Sequence, residues 1–226
     1  MTIARVQTLT DINTDTKNLL GGDNLEAVGL SCVRDDRVLF EDLDFHLTNG
    51  QVLLLEGHNG SGKTSLLRIL CGIRMSDAGS VRWNGEPIDI LGADYYRWMI
   101  YVGHLDGIKL DLTVLENLEV SRSLGQASDL SLSAALSKVN LAGYEDLLGQ
   151  SLSAGQRRRV ALARLLVTVN RLWILDEPFT ALDQSGITLF EQLMTQHTQN
   201  GGMIVLTSHH TVSLEHVEIH RIRLST

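Results

Sequence analysis

The sequence predicts an α/β fold, on three observations. Short apolar-centred runs at Gln51–Glu56, Leu172–Leu175 and Met203–Thr207 have the length of strands buried on both faces, as in a parallel sheet. A glycine-rich segment leads from the first run straight into Thr64–Gly72, where Leu66, Leu67, Ile69 and Leu70 fall at helical spacing. Helical patterns then occupy most of the chain between the first run and the second.

Taken in order, residues 1–24 are rich in Thr, Asn and Asp with a Gly-Gly pair, and read as a loose leader. They lack the basic start and continuous apolar core of a secretory signal. The domain proper runs over 25–226. Leu25–Val33 and Arg37–Leu47 read as strands joined by an Asp-Asp turn. Ser80–Trp83 and Glu86–Ile88 flank Asn84-Gly85, a pair that favours the positive φ angles of a tight hairpin. After a strand at Ile100–Val102, Thr113 is placed to cap a helix over Val114–Val120, and a second helix fits Ser131–Val139. A third fits Ala154–Val169, so that a helical insertion spans about 106–168. A further helix around Gly186–Thr198 connects the last two apolar runs.

Composition narrows the function. The 226 residues are 43 % hydrophobic and 20 % charged, ordinary for a globular protein. A net charge of −8 argues against a partner held through nucleic-acid phosphates. No stretch reaches the roughly 18–20 apolar residues that cross a bilayer, so a membrane connection has to come through partners. The two cysteines, Cys32 and Cys71, sit in apolar contexts and read as buried thiols in a reducing compartment. Trp83, Trp98 and Trp173 read as core or interface residues.

Gly57-His-Asn-Gly-Ser-Gly-Lys-Thr64 matches G-x-x-x-x-G-K-[ST] in the strand-loop-helix context that a phosphate loop needs. Its glycines let successive amides turn inward on phosphate oxygens, and the helix adds its positive end. Lys63 then bridges the β- and γ-phosphates of ATP, and the Thr64 hydroxyl is placed for Mg²⁺. Leu172-Trp-Ile-Leu-Asp-Glu177 ends a buried strand on two acids. Asp176 beside the phosphate loop holds Mg²⁺ through water, and Glu177 orients or deprotonates the attacking water. Leu152-Ser-Ala-Gly-Gln156 precedes another helix, so Ser153 and the Gly155 amide form a second anion site. One nucleotide does not need two such helix ends. Two copies packed head to tail would use both, each closing this segment over the γ-phosphate held by the other.

At this point the sequence resembles the ATP-binding subunits of ABC transporters, from Leu25 to the C-terminus. The order is the family's: phosphate loop, Leu152–Gln156, Asp176-Glu177, Ala181-Leu182-Asp183, then His209. The resemblance implies a P-loop NTPase core of the ABC ATPase type, with an antiparallel β subdomain and the helical insertion. It implies nucleotide contacts from Gly57, His58, Asn59, Gly60, Ser61, Gly62, Lys63, Thr64 and Ser65, and from Ser153, Gly155 and Gln156. Asp183 is implied at the dimer contact, His209 on the γ-phosphate, and Lys63, Glu177 and His209 as the catalytic set. The implied cofactors are ATP and Mg²⁺; the implied partners are a second copy and integral membrane subunits.

Two positions depart from the common pattern. Counting back from Thr113, the loop after Ile100–Val102 presents His104 where a glutamine usually stands. Either its imidazole keeps one hydrogen bond toward Mg²⁺ or water, or it only packs in the loop. Arg34 falls where an aromatic usually stacks on adenine: its guanidinium stacks on the base or is solvated. The pairs His209-His210 and His216/His220 have no carboxylate or cysteine cluster beside them, and are not read as metal ligands.

Within the family the chain is most similar to the ATP-binding protein of cytochrome c maturation, the haem exporter ATPase. Ile100-Tyr-Val-Gly-His104 with Gly107-Ile-Lys109, Leu152–Arg164 and Leu172–Ala181 carry that likeness. It implies an ATPase at the cytoplasmic face of the inner membrane, coupling hydrolysis to haem handling or to release of a haem-loaded chaperone. The alternative is the ATPase subunit of another small-molecule ABC transporter, whose nucleotide site would look the same. Ribosome-type members carry two nucleotide domains and DNA-repair types a long coiled coil; this single acidic chain has neither. A purely regulatory nucleotide module is a further rival, disfavoured by Glu177 and His209.

Overall fold

The computed structural model describes residues 7–8 and 22–224. Its strands are β1 (Gln7–Thr8), β2 (Asn24–Arg34), β3 (Arg37–Thr48), β4 (Val52–Glu56), β5 (Ala78–Trp83), β6 (Glu86–Pro87), β7 (Met99–Val102), β8 (Leu172–Asp176), β9 (Met203–Thr207) and β10 (Ile219–Arg223). Its helices are α1 (Lys63–Leu70), α2 (Ile88–Leu91), α3 (Ala93–Tyr96), α4 (Val114–Leu124), α5 (Leu132–Lys138), α6 (Ala154–Val167) and α7 (Gln184–Gln199).

The strands form two sheets. One has the order β1-β10-β4-β9-β8-β7, parallel throughout except for β1, which pairs antiparallel with β10. β8 and β9 are buried at every position, and β4 at all but Glu56, as the apolar runs require. Alternate residues feed the two faces. Leu53, Leu55, Ile174 and Val205 join α1 and the second sheet in one core, while Val52, Leu54, Trp173, Leu175, Ile204 and Leu206 join α4–α7 in the other. The second sheet is antiparallel in the order β3-β2-β5-β6.

Local chemistry explains the joints. Asp35 and Asp36 both take positive φ, as do Asn84 and Gly85, so both hairpins turn where the sequence places a turn. Thr113 caps α4 in a reciprocal box with Glu116, and Ser153 caps α6 with Gln156 in the same way. Cys32 and Cys71 are buried thiols, and Trp83 and Trp173 are core residues; Trp98, by contrast, is 39 % exposed.

Several boundaries move. The strand expected through Ile88 stops at Pro87, because Ile88 opens α2, and α3 follows after Gly92; neither short helix was expected. The third helix of the insertion ends at Val167, where Thr168 turns extended. The leader lies outside the described residues except for Gln7–Thr8, which add β1 to the sheet edge, and for residues 22–24.

Trp173 stacks on His197 of α7, with ring centroids 3.9 Å apart. Burial pushes the His197 pKa down from 6.5 to about 4. The imidazole is therefore neutral in the native protein, while the unfolded chain takes up a proton near 6.5. This contribution to stability is complete above 6.5 and is lost as pH falls toward 4. Urea unfolding at pH 7 and pH 5 should show a smaller pH-dependent loss in His197→Gln than in the parent. Equal losses would mean that His197 is charged in the native state.

Candidate nucleotide site

The phosphate loop lies between β4 and α1, and its glycines have steric reasons. Gly57, Gly60 and Gly62 have φ of +148°, +82° and +102°. A Cβ at Gly57 would lie 2.5 Å from the Leu224 carbonyl and from Ser61 Oγ. His58, Asn59 and Gly60 are exposed at the loop's crest, whereas Ser61 is fully buried beneath it. Lys63 is 8 % exposed, and its Nζ donates to Gly57 O at 2.6 Å and His58 O at 3.2 Å. That holds the ammonium across the mouth of the loop. Ser65, one residue past Thr64, is 9 % exposed on α1.

The two acidic positions meet this loop from β8. The Thr64 hydroxyl donates to Asp176 Oδ2 at 2.9 Å, and the Thr207 hydroxyl donates to Asp176 Oδ1 at 2.8 Å. Thr64 and Asp176 thus place two hard oxygen donors side by side, with Asp176 only 3 % exposed. That is the donor set Mg²⁺ takes when phosphate and water complete its shell. Glu177 leaves the strand with φ +50°. Its amide donates to Thr207 Oγ1 at 2.9 Å, and its Oε2 accepts from the His209 amide at 3.1 Å. The His209 ring Nε2 lies 3.5 Å from Glu177 Oε1, an oxygen that is buried and has no hydrogen-bond partner among the described residues. A buried carboxylate oxygen without a donor is a ready acceptor for a water proton.

The Leu152–Gln156 segment folds as a helix start. Ser153 Oγ accepts from the Gln156 amide at 3.2 Å, and Gln156 Oε1 accepts from the Ser153 amide at 2.8 Å. The Ala154 and Gly155 amides belong to the first turn and are not needed for the helix's own ladder. A Cβ on Gly155 would come within 2.8 Å of the Ala181 carbonyl, so glycine is required by the chain's own packing. Asp183 is occupied within the chain. It caps α7 through the Gly186 amide at 2.9 Å and pairs with Arg159 at 2.7 Å. The Gly186 amide, then Ser185 and Arg159, hold its carboxyl below the usual range.

The structure thus brings Thr64 to Asp176 and Glu177 to His209. His104 stands exposed on the loop after β7. Arg34 lies in solvent at the end of β2, 63 % exposed and 3.4 Å from the still more exposed Asp35, a pairing worth little. Two residues that sequence reasoning did not single out are central: Thr207, whose hydroxyl donates to the Asp176 carboxylate and accepts from the Glu177 amide, and Arg158, whose side chain is buried behind them. Arg158 was visible only as the middle member of an Arg-Arg-Arg run.

A family model described as ABC transporter matches residues 40–180. The cytochrome c biogenesis ATP-binding export protein CcmA of Nitrosospira multiformis is 47 % identical over 203 residues, 89 % of this chain and 98 % of that protein. Its Escherichia coli counterpart is 46 % identical over 201 residues, 89 % of this chain and 96 % of that one. The chain belongs to the CcmA branch of the ABC transporter family. Solved structures agree on the fold. A dimeric bacterial ABC transporter cassette superposes with a TM-score of 0.77 at 21 % identity, over 88 % of this chain and 94 % of that one. A transporter ATP-binding protein from Pyrococcus furiosus gives 0.76 at 24 % identity, over 89 % and 97 %. The chain is an ABC ATPase of the CcmA type.

Proposed function

We propose that the chain is the ATP-hydrolysing subunit of a membrane complex for cytochrome c biogenesis, coupling hydrolysis to haem handling or release of a haem-loaded chaperone. The observation that carries the ATPase part is the convergence of Thr64, Asp176, Glu177 and His209 at one loop. The biological assignment rests on the likeness to the CcmA export proteins.

In the mechanism, the amides of Gly57–Thr64 and the Lys63 ammonium bind the triphosphate. Thr64, Asp176 and, from its loop, His104 are the candidate holders of Mg²⁺, which neutralises phosphate charge when bound. Water attacks the γ-phosphorus in line, the bond to the bridging oxygen breaks, and ADP leaves with the electron pair. Glu177 Oε1 orients that water and takes its proton, while His209 fixes the carboxylate and contacts the γ-phosphate. A second copy supplies Ser153, Gly155 and Gln156 from the start of its α6, and Asp183 lies near the same contact, so that each site is complete only in a head-to-tail dimer.

No helix of the described residues is long and apolar enough to cross a membrane. A cavity lined by Ala93, Tyr96, Arg97, Leu124, Gly125 and Gln126 exposes Tyr96 at 52 % and Leu124 at 84 %. Such an apolar rim supports docking of an integral membrane subunit, with this chain peripheral at the cytoplasmic face of the inner membrane.

Deletion of the gene, followed by a stain for covalently attached haem, tests the assignment. The expected result is loss of c-type cytochromes, restored by the parent gene and not by Glu177→Gln. Normal c-type cytochromes in the deletion strain would leave only the reading as an ATPase of another small-molecule transporter.

A further inference from the structure

The turn that presents Glu177 is strained, and one buried side chain wraps it. A residue with a Cβ holds φ +50° only where its surroundings impose that conformation. Arg158, one turn into α6 and 2 % exposed, donates to three consecutive carbonyls there. Nη2 reaches Asp176 O at 3.1 Å and Glu177 O at 2.7 Å, and Nε reaches Pro178 O at 3.0 Å. Nη1 turns the other way, to Gly103 O at 3.0 Å and Asp106 Oδ1 at 3.2 Å. One rigid guanidinium therefore spans two segments: the turn carrying Glu177 and the loop carrying His104. A planar fork with fixed donor directions transmits a shift of either segment to the other. The same helix begins at Ser153, the residue offered to a second copy.

We propose that Arg158 is a positioning residue for hydrolysis. It fixes the Glu177 peptide and registers it against the 103–106 loop and the start of α6, so that closure of the dimer is felt at the carboxylate. The proposal rests on the reading of Glu177 as the group that handles the attacking water.

Arg158→Lys keeps a cation near Asp106 but cannot serve three carbonyls and the loop together. The expected result is an ATP dissociation constant within about twofold of the parent and a kcat lower by roughly tenfold or more. Arg164→Lys is the structural comparison. Arg164 lies on the same helix and donates to Asp106 O at 3.2 Å, with no hydrogen bond to the Glu177 turn among the described residues. Its kcat should fall less. Parental kcat in Arg158→Lys, or equal losses in the two lysine variants, would overturn the proposal. Arg158→Gln, which introduces no displaced buried charge, gives the same readout if the lysine variant does not fold, and parental kcat there would overturn it equally. Glu177→Gln is assayed alongside. If it turns over at the parental rate, both readings fall; if it is inactive while Arg158→Lys is unimpaired, only the Arg158 proposal falls.

Discussion

Lys63→Ala leaves a folded protein that no longer binds ATP at useful concentrations. Lys63 is the one lysine or arginine in the Gly57–Thr64 sequence, and its ammonium already lies against the loop, 2.6 Å from Gly57 O. A triphosphate set down on that loop without it meets backbone dipoles and the end of α1 but no compensating charge. Loss of a largely buried charged contact costs about 2–5 kcal/mol, which weakens binding by roughly thirtyfold to several thousandfold. Lys63 belongs to neither apolar core and alanine suits a helix, so α1 keeps Leu66, Leu67 and Leu70 in the core. Titration with a fluorescent ATP analogue, beside a thermal melt, reads the two effects separately. Parental affinity in Lys63→Ala would remove the phosphate loop from the site.

Much of the site was legible because its parts are contiguous in sequence. A glycine-rich loop between a buried strand and a helix carries its own geometry, and so do Thr113 with Glu116 and Ser153 with Gln156, where cap and partner are three residues apart. The turns at Asp35-Asp36 and Asn84-Gly85 are equally local. What the sequence hid lies at long range or is very short. Thr207 matters through Asp176 and Glu177, about thirty positions earlier, and nothing in a threonine at a strand end announces that. Arg158 is one of three consecutive arginines, and only the fold of α6 shows that it is the buried one. The helices α2 and α3, four residues each, are too short to show a period. The resemblance assigns Asp183 to a dimer contact; within one chain its Oδ1 caps α7 and pairs with Arg159, while the side chain stays exposed. A backbone or second oxygen is what it has left to offer a partner.

The central claim is that Glu177 drives hydrolysis in a site that two copies share, and Glu177→Gln separates the two halves of it. The amide keeps the shape of the side chain and the oxygen that accepts from the His209 amide, but has little basicity. It also removes a negative charge close to where the γ-phosphate is proposed to sit, which favours retention of ATP. Turnover should fall by roughly 10²- to 10⁴-fold, the usual worth of a general base, with ATP affinity retained or raised. Because ATP then persists between the phosphate loop of one copy and the α6 start of the other, the dimer should accumulate. The decisive measurement is molar mass by light scattering on Glu177→Gln with and without ATP and Mg²⁺, with phosphate release followed on the same samples. The account predicts a dimer only with ATP, and almost no phosphate; parental phosphate release, or ATP held on a monomer, would contradict it.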